Sequence, residues 1–465
     1  MLPVVALVGR PNVGKSTLFN VLTRSRDALV ADMPGVTRDR HYGISRVGPR
    51  PFVVVDTGGL TDETEALAEQ TARQAAFAID EADVVLFLLD ARDGLLPTDR
   101  SILDRLRRSG KPFLVLVNKV DGLDEQIALA EFAALGVAAL LPVSAAHSRG
   151  VAALIDALVP LLPAPSAEPE SGKDEGIRVA IVGRPNAGKS TLVNRLLGEE
   201  RVIASEVPGT TRDSIRIPLE RDGRRFTLID TAGVRRRARI DDALEKFSVI
   251  KSLQAVEAAH VTVLVLDARE GVSEQDATLI GHVLDSGRAL VIAVNKWDGM
   301  DRYQREQCMT GLARRLDFVP WARAVYISAL HGSGVGELMK AVVRAHASAN
   351  RTFGSAELTR AVEAAYEAYQ PPLVRGHAPR LKFAHPGGTN PPTIVIHGSR
   401  TKHIADGYRR YLENFFRKRY RLEGTPVRIE LRDGVNPFAG RKNELTEGQQ
   451  RRRTRMIRNA KRSKS

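Results

Sequence analysis

Two stretches of this chain carry residue types and spacings that could hold a polyphosphate. Gly9-Arg10-Pro11-Asn12-Val13-Gly14-Lys15-Ser16 follows the apolar run Val4 to Val8 and precedes a helix-forming stretch, Thr17 to Thr23. Strand, glycine-rich loop and helix form the context in which G-x-x-x-x-G-K-[ST] has a chemical meaning. Glycines let the backbone approach phosphate oxygens with its N–H groups pointing inward, and the helix N-terminus behind adds a positive field. In that setting Lys15 can reach the β- and γ-phosphates, and the Ser16 hydroxyl can hold Mg²⁺. The pattern recurs as Gly183-Arg184-Pro185-Asn186-Ala187-Gly188-Lys189-Ser190, behind the apolar run Ile177 to Val182. A single copy could be a turn; the second copy argues against that.

Further motifs follow each loop in the same order. Asp56-Thr57-Gly58-Gly59 and Asp230-Thr231-Ala232-Gly233 end apolar strands. The aspartates can hold Mg²⁺ through water, and the N–H of Gly59 or Gly233 can meet a γ-phosphate. Leu60 and Val234 come next. Asn118-Lys119-Val120-Asp121 and Asn295-Lys296-Trp297-Asp298 also end apolar strands. An aspartate there can accept two hydrogen bonds from N1–H and the 2-amino group of guanine, a donor set that adenine lacks. The lysine stem can lie over the purine while the asparagine braces the loops. Ser144-Ala145 and Ser328-Ala329 follow the last strand of each half, where backbone N–H groups can contact guanine O6. Pro34-Gly35-Val36-Thr37-Arg38-Asp39 matches Pro208-Gly209-Thr210-Thr211-Arg212-Asp213. Thr37 and Thr211 fall where a switch loop would offer a hydroxyl to Mg²⁺ and the γ-phosphate.

The elements that must position these groups read as α/β. Residues 1–162 alternate strands with helices, which predicts a mainly parallel sheet. Strands are expected at Val4–Val8, Phe52–Asp56, Val84–Asp90, Phe113–Asn118 and Ala139–Val143, and helices near 65–80, 98–109, 125–135 and 149–161. Residues 163–176 form a linker rich in proline, small residues and acids. Residues 177–350 repeat the first unit. Residues 351–440 read as helix 355–369, strand 380–385, strand 392–397, helix 404–420 and strand 426–432, a small α+β unit. In its second helix, Tyr408, Tyr411, Leu412, Phe415 and Phe416 share a face, more consistent with core packing than with base stacking. Residues 441–465 are a basic tail, with ten Lys or Arg against two Glu, and read as disordered when alone.

Composition bounds the class. With 43% hydrophobic and 27% charged residues the chain is an ordinary globular protein. A net charge of +14 and a pI near 10 favour a polyanionic partner. The only cysteine, Cys308, excludes an internal disulfide and fits a reducing compartment. No apolar run is long enough to span a bilayer, and the N-terminus enters a strand without a basic leader or cleavage site. The histidines show no metal-ligand spacing, so no zinc site is expected.

The five motifs, in order and in duplicate, followed by a small α+β unit and a basic tail, resemble the bacterial double-GTPase family called Der or EngA. The resemblance runs from residue 1 to about 440. It implies two tandem P-loop GTPase domains and a KH-like third domain, in a cytoplasmic enzyme that converts GTP to GDP and phosphate with Mg²⁺. It also implies a role in late assembly of the large (50S) ribosomal subunit, with rRNA and ribosomal proteins as partners and no membrane. On the matching positions, Lys15, Thr37 and Gly59 and their counterparts Lys189, Thr211 and Gly233 carry catalysis. The third unit lacks the G-x-x-G clamp of KH domains, having Gly398-Ser399-Arg400-Thr401-Lys402-His403 at that place. Leu60 and Val234 stand where many GTPases place a water-orienting Gln; the family this chain resembles has a hydrophobic residue there too, so the catalytic element must come from elsewhere. Related GTPases with an Asn in the phosphate loop use K⁺, which makes Asn12 and Asn186 candidate ligands. Arg235-Arg236-Arg237-Ala238-Arg239 reads equally as a solvated loop or as an RNA contact. Two rivals stand: a tRNA-modification GTPase, whose layout has one GTPase domain and a C-terminal cysteine, and a nucleotide-switched RNA-binding module with one non-catalytic unit.

Overall fold

The computed structural model describes residues 2–24, 29–33, 36–57, 78–164, 176–198, 216–229, 249–373 and 377–433, of which 29–33 and 36–40 by their backbone alone. In the first half, β1 (Val4–Gly9) runs through the glycine-rich loop into α1 (Lys15–Thr23). The chain continues with β2 (Leu29–Met33), β3 (Val36–Ser45), β4 (Phe52–Asp56), β5 (Val84–Asp90), α2 (Pro97–Ser109), β6 (Phe113–Asn118), α3 (Glu125–Ala130), β7 (Leu140–Pro142) and α4 (Val151–Leu158). Seven strands form one sheet in the order β2-β3-β4-β1-β5-β6-β7. From β4 to β7 neighbours run parallel, while β2 and β3 add an antiparallel edge.

The apolar runs explain this arrangement. β1, β4 and β5 are buried along their whole length, and strands buried on both faces need helices on both sides. Val5, Leu7, Val54 and Leu86 meet Leu18 of α1 and Leu154 of α4, and Ala6, Val8, Val85 and Phe87 meet Leu103 and Leu106 of α2. β1 thereby becomes a central strand, and the glycine-rich loop leaves its carboxyl end, where open parallel sheets bind ligands.

The second half repeats the plan. β8 (Ile177–Val182), α5 (Lys189–Gly198), β9 (Arg216–Arg221), β10 (Arg224–Ile229), α6 (Val249–Ala258), β11 (Val261–Asp267), α7 (Glu274–Asp285), β12 (Ala289–Asn295), α8 (Arg302–Arg315), β13 (Arg323–Tyr326) and α9 (Val335–Ala349) follow in turn. The sheet order is β13-β12-β11-β8-β10-β9, with only β9 antiparallel. The two halves share a core: Val4, Tyr42, Ile44, Val53 and Val55 cluster with Val249, Leu253 and Val256 of α6.

The remaining elements are α10 (Ser355–Ala368), β14 (Arg380–Gly388), β15 (Thr393–Ser399), α11 (Asp406–Tyr420) and β16 (Arg428–Asp433), with a sheet ordered β14-β15-β16. Tyr408, Leu412 and Phe416, four residues apart on α11, are buried, and the Tyr411 hydroxyl donates to the Ala365 carbonyl at 2.8 Å. Core packing therefore accounts for this aromatic face. The chain divides into two compact units, one of Met1–Thr352, Gly388–Thr393 and Arg417–Arg428, the other of Phe353–Gly387, Ile394–Phe416 and the residues from Ile429 on.

Three local expectations change. The helix expected over 125–135 is α only to Ala130. Beyond it a 3₁₀ turn over Glu131–Leu135 eclipses Phe132 and Leu135, both buried, on one side. The helix expected over 149–161 is α from Val151 to Leu158 and 3₁₀ beyond, because Pro160 has no N–H to continue the ladder. Thr37, expected on a loop, lies on β3, whose backbone bonds to β4 begin at His41–Asp56. The expected helix over 65–80 is described only from residue 78. Among the described residues no helix is long and apolar enough to cross a membrane, and no group of three or more His, Cys, Asp or Glu could hold a metal ion.

Candidate functional site

The loop between β1 and α1 is shaped by backbone that only certain residues tolerate. Gly9 has φ 155° and a Cβ there would fall 2.5 Å from the Leu88 carbonyl oxygen of β5; Gly14 has φ 96° and a Cβ there would collide with the Asn118 amide. Asn12 sits at φ 64°, a left-handed conformation that Asn accepts more readily than most residues. Gly14 caps α1 without a side chain, which leaves the first-turn N–H groups free of side-chain caps and open to an anion.

Lys15 is almost wholly buried, and its ammonium donates to the Gly9 and Arg10 carbonyls at 3.0 and 2.6 Å. Burial lowers its pKa from 10.5 to about 8, with the Asp56 carboxylate pulling the other way and Arg10 adding to the drop. A cation held against carbonyls at a desolvated loop can exchange those partners for phosphate oxygens. Ser16 Oγ donates to Asp56 Oδ2 at 2.7 Å, and Asp56 is fully buried at the end of β4. The Thr57 hydroxyl donates back to the Leu7 carbonyl of β1 at 2.9 Å, tying the two strand ends together.

Asn118 closes the other side. Its Nδ2 donates to the Val13 carbonyl at 2.8 Å, and its Oδ1 accepts from the Ala145 N–H at 3.0 Å, so one side chain joins the glycine-rich loop to the segment after β7. Asp121 Oδ1 accepts from the Ser144 hydroxyl at 2.8 Å and its other oxygen pairs with Arg92 at 2.6 Å. The Ser144 hydrogen bond, foremost, holds the Asp121 carboxyl below the usual range, so it stays an acceptor near neutrality.

Among the described residues, the second half reproduces several of these contacts. Gly183 and Gly188 have φ 145° and 99°, and Asn186 has φ 61°. Lys189 Nζ donates to the Arg184 carbonyl at 2.6 Å. Asn295 Nδ2 donates to the Ala187 carbonyl at 2.8 Å, and its Oδ1 accepts from the Ala329 N–H at 2.9 Å. The Ser328 hydroxyl is the main cause of a lowered pKa at Asp298. Pro11, Pro185, Val120 and Trp297 ride on these loops. Gly58, Gly59 and Leu60 lie outside the described residues, as do Asp230, Thr231, Ala232, Gly233, Val234 and Thr211, together with Arg235 to Arg239 and the basic tail; for Thr37 only the backbone is described.

Four carboxylates at the sites were not anticipated. Lys119 Nζ pairs with the fully buried Asp90 at 2.5 Å, and Lys296 Nζ with Asp267 at 2.5 Å, which fixes each lysine's stem alongside its loop. The Arg10 and Arg184 guanidinium groups pair with Asp99 at 2.9 Å and Asp276 at 3.0 Å. The duplication carried a signal for the first pair: Asp90-Ala91-Arg92-Asp93-Gly94 recurs as Asp267-Ala268-Arg269-Glu270-Gly271.

A phosphate-loop site on the central strand of a mainly parallel sheet, with an Asn-Lys-x-Asp loop beside it, defines a P-loop GTPase, here in two copies. Residues 4–119 and 178–296 match the family described as 50S ribosome-binding GTPase, and residues 353–432 match the KH-domain-like C-terminal domain of EngA bacterial GTPase enzymes. GTPase Der of Stenotrophomonas maltophilia strain R551-3 is 58% identical over 463 residues, covering 99% of this chain and 100% of that protein. GTPase Der of Thioalkalivibrio sulfidiphilus strain HL-EbGR7 is 59% identical over 462 residues, again covering 99% and 100%. The chain belongs to the GTPase Der (EngA) family: it binds GTP and hydrolyses it.

Proposed function

We propose that the chain is a GTP-driven assembly factor for the large ribosomal subunit, contacting rRNA and ribosomal proteins in the cytoplasm. The observation that carries this reading is the pairing of two sets of guanine-nucleotide motifs with a net charge of +14 on one chain of this family. A polycation attracts a phosphate backbone, and a switch needs a nucleotide whose outer phosphate can be lost. The units proposed are 1–162 and 177–350 for the GTPase domains, joined by 163–176, and 351–440 for the KH-like domain with the tail 441–465 beyond.

In this reading each phosphate loop cradles the phosphates, residues 9–16 in the first domain and 183–190 in the second. Lys15 and Lys189 leave their loop carbonyls for the β- and γ-phosphates. Asp121 and Asp298 accept from the guanine edge, Lys119 and Lys296 cover its ring, and Ala145 and Ala329 offer N–H to O6. Ser16 Oγ and Asp56 Oδ2, oxygen donors 2.7 Å apart, suit a hard divalent cation. Mg²⁺ there would be held by Ser16, Asp56 and Thr37, and by Ser190, Asp230 and Thr211 in the second domain. When bound, it neutralises phosphate charge. Gly59 and Gly233 offer N–H to the γ-phosphate, while Leu60 and Val234 cannot orient water. Asn12 and Asn186, both exposed, are placed to help hold K⁺ against the phosphates, supplying the charge that a finger arginine supplies elsewhere.

Sedimentation with purified 50S subunits tests the proposal. Co-sedimentation should be strong with a non-hydrolysable GTP analogue and several-fold weaker with GDP. Equal recovery in both states, or none in either, would overturn it.

A further inference from the structure

The second GTPase domain carries a cavity of about 340 Å³ away from its nucleotide site, between the β9–β10 hairpin and α9. Four cationic side chains line it: Arg221 and Arg224 from the hairpin, Lys340 and Arg344 from the helix. Its floor is apolar, made by Phe226, Met339 and Val343. The local sequence dictates this grouping. Arg221-Asp222-Gly223-Arg224 is a two-residue hairpin turn with Asp222 at φ 50° and Gly223 at φ 70°, the left-handed pair that such a turn requires. The turn sets Arg221 directly opposite Arg224 in the antiparallel ladder. On α9, Met339 with Val343 and Lys340 with Arg344 are four apart, so the floor and the cations share one side of the helix.

Like charges directly opposite on a strand pair are destabilising unless something offsets them. For Lys340 and Arg344 the carboxylates nearby do this weakly. Asp222 is exposed at the turn, Lys340 pairs with exposed Glu337 at 2.9 Å, and Arg344 Nε lies 3.6 Å from Glu423, which Arg323 shares at 3.9 Å. Exposed pairs of this kind contribute little and are readily exchanged for a stronger anion. Arg344 Nη2 is buried and has no hydrogen-bond partner among the described residues.

We infer that this cavity is a second ligand site, which takes one nucleotide of a single-stranded RNA segment. Its phosphate would lie among Arg221, Arg224, Lys340 and Arg344, and its base against the apolar floor and the guanidinium planes. The volume is that of a small-ligand pocket and exceeds what a bare ion needs. Three of the four cations are arginines, whose planar forks both bind phosphate bidentately and stack on bases. An acidic peptide would use the charges but not the floor. The inference rests on the ribosome-assembly reading and names a place on the surface where RNA is held.

Fluorescence anisotropy of a labelled single-stranded RNA 12-mer on the full chain tests it, alongside sedimentation with 50S subunits. Arg221→Gln/Arg344→Gln should weaken RNA binding about tenfold and make the salt dependence shallower by about one to two in logarithmic slope, with GTP turnover unchanged. Arg224→Gln/Lys340→Gln, at exposed positions, should do the same to a smaller degree and covers loss of fold in the first pair. Arg302→Gln, an exposed charge on α8, should leave binding as it was. Equal losses for Arg302→Gln would reduce the effect to net charge and overturn the site, as would unchanged binding in both pairs. Competition by poly-glutamate as effective as by unlabelled RNA would overturn RNA in favour of a protein ligand, and competition by free GMP alone would make it a mononucleotide site. If the unaltered chain binds neither RNA nor subunits, the assembly reading itself fails.

Discussion

Lys15 shows how much a single side chain reports about the first site. Its folded pKa, about 8, lies below the unfolded value of 10.5, so burying the charged form costs stability below pH 8, and that cost is relieved as the pH rises. A bound triphosphate reverses the environment and holds the proton in place. GTP binding at the first site should therefore take up a proton above pH 8, and its affinity should fall by up to about tenfold per unit as the pH rises further. Calorimetry at pH 8.5 in buffers of different ionisation heat reads this directly; an affinity flat from pH 7 to pH 9.5 would contradict it. At this scale the sequence is highly legible, because Lys15, Ser16, Asn118 and Asp121 stand in fixed spacing and the spacing repeats. Asp99 was not legible as a site residue, being one acid near a helix start whose meaning comes from the arginine that the fold delivers to it, and Asp90 was legible only through its repeated Asp-Ala-Arg context.

The loop and the helix beside it act as one element. Asp99 is fully buried, accepts the Leu96 N–H at 3.0 Å at the start of α2, and pairs with Arg10 of the phosphate loop at 2.9 Å. Asp99→Ala should strip the cap and leave Arg10 without its buried partner, at a cost of about 3 kcal/mol. Urea unfolding should show that loss together with weaker GTP binding at the first site, and an unchanged midpoint would refute the link. The loop also carries Asn12, and replacing Na⁺ by K⁺ at constant ionic strength and saturating GTP should raise turnover. Asn12→Ala together with Asn186→Ala should abolish most of that difference while GTP still binds, and equal rates in the two salts would exclude a potassium role. Elements were legible where apolar runs were continuous, as in β1, β4 and β5. Their ends were less so: Pro160 cut α4 short, and the packing of Phe132 and Leu135 tightened the segment after α3 into a 3₁₀ turn, neither of which periodicity alone resolves.

At the scale of the whole chain, duplication is the dominant fact. Among the described residues, six contacts of the first site recur in the second, and the two halves join through a common core in which Tyr42, Ile44 and Val53 meet Leu253 and Val256 of α6. Gln254 of α6 also donates to the Leu2 carbonyl at 2.7 Å, and Arg46 bonds to Glu257. That joining was not readable in the sequence, since a strand buried on both faces reads the same whether a helix of its own domain or of its neighbour covers it. Two separate guanine sites on one chain are nonetheless the claim on which everything else depends. Equilibrium dialysis with labelled GTP at saturating Mg²⁺ measures them: the unaltered chain should bind two GTP per chain, undisplaced by excess ATP. Asp121→Asn should bind one GTP and one xanthosine triphosphate. One GTP per unaltered chain, or ready displacement by ATP, would contradict the assignment.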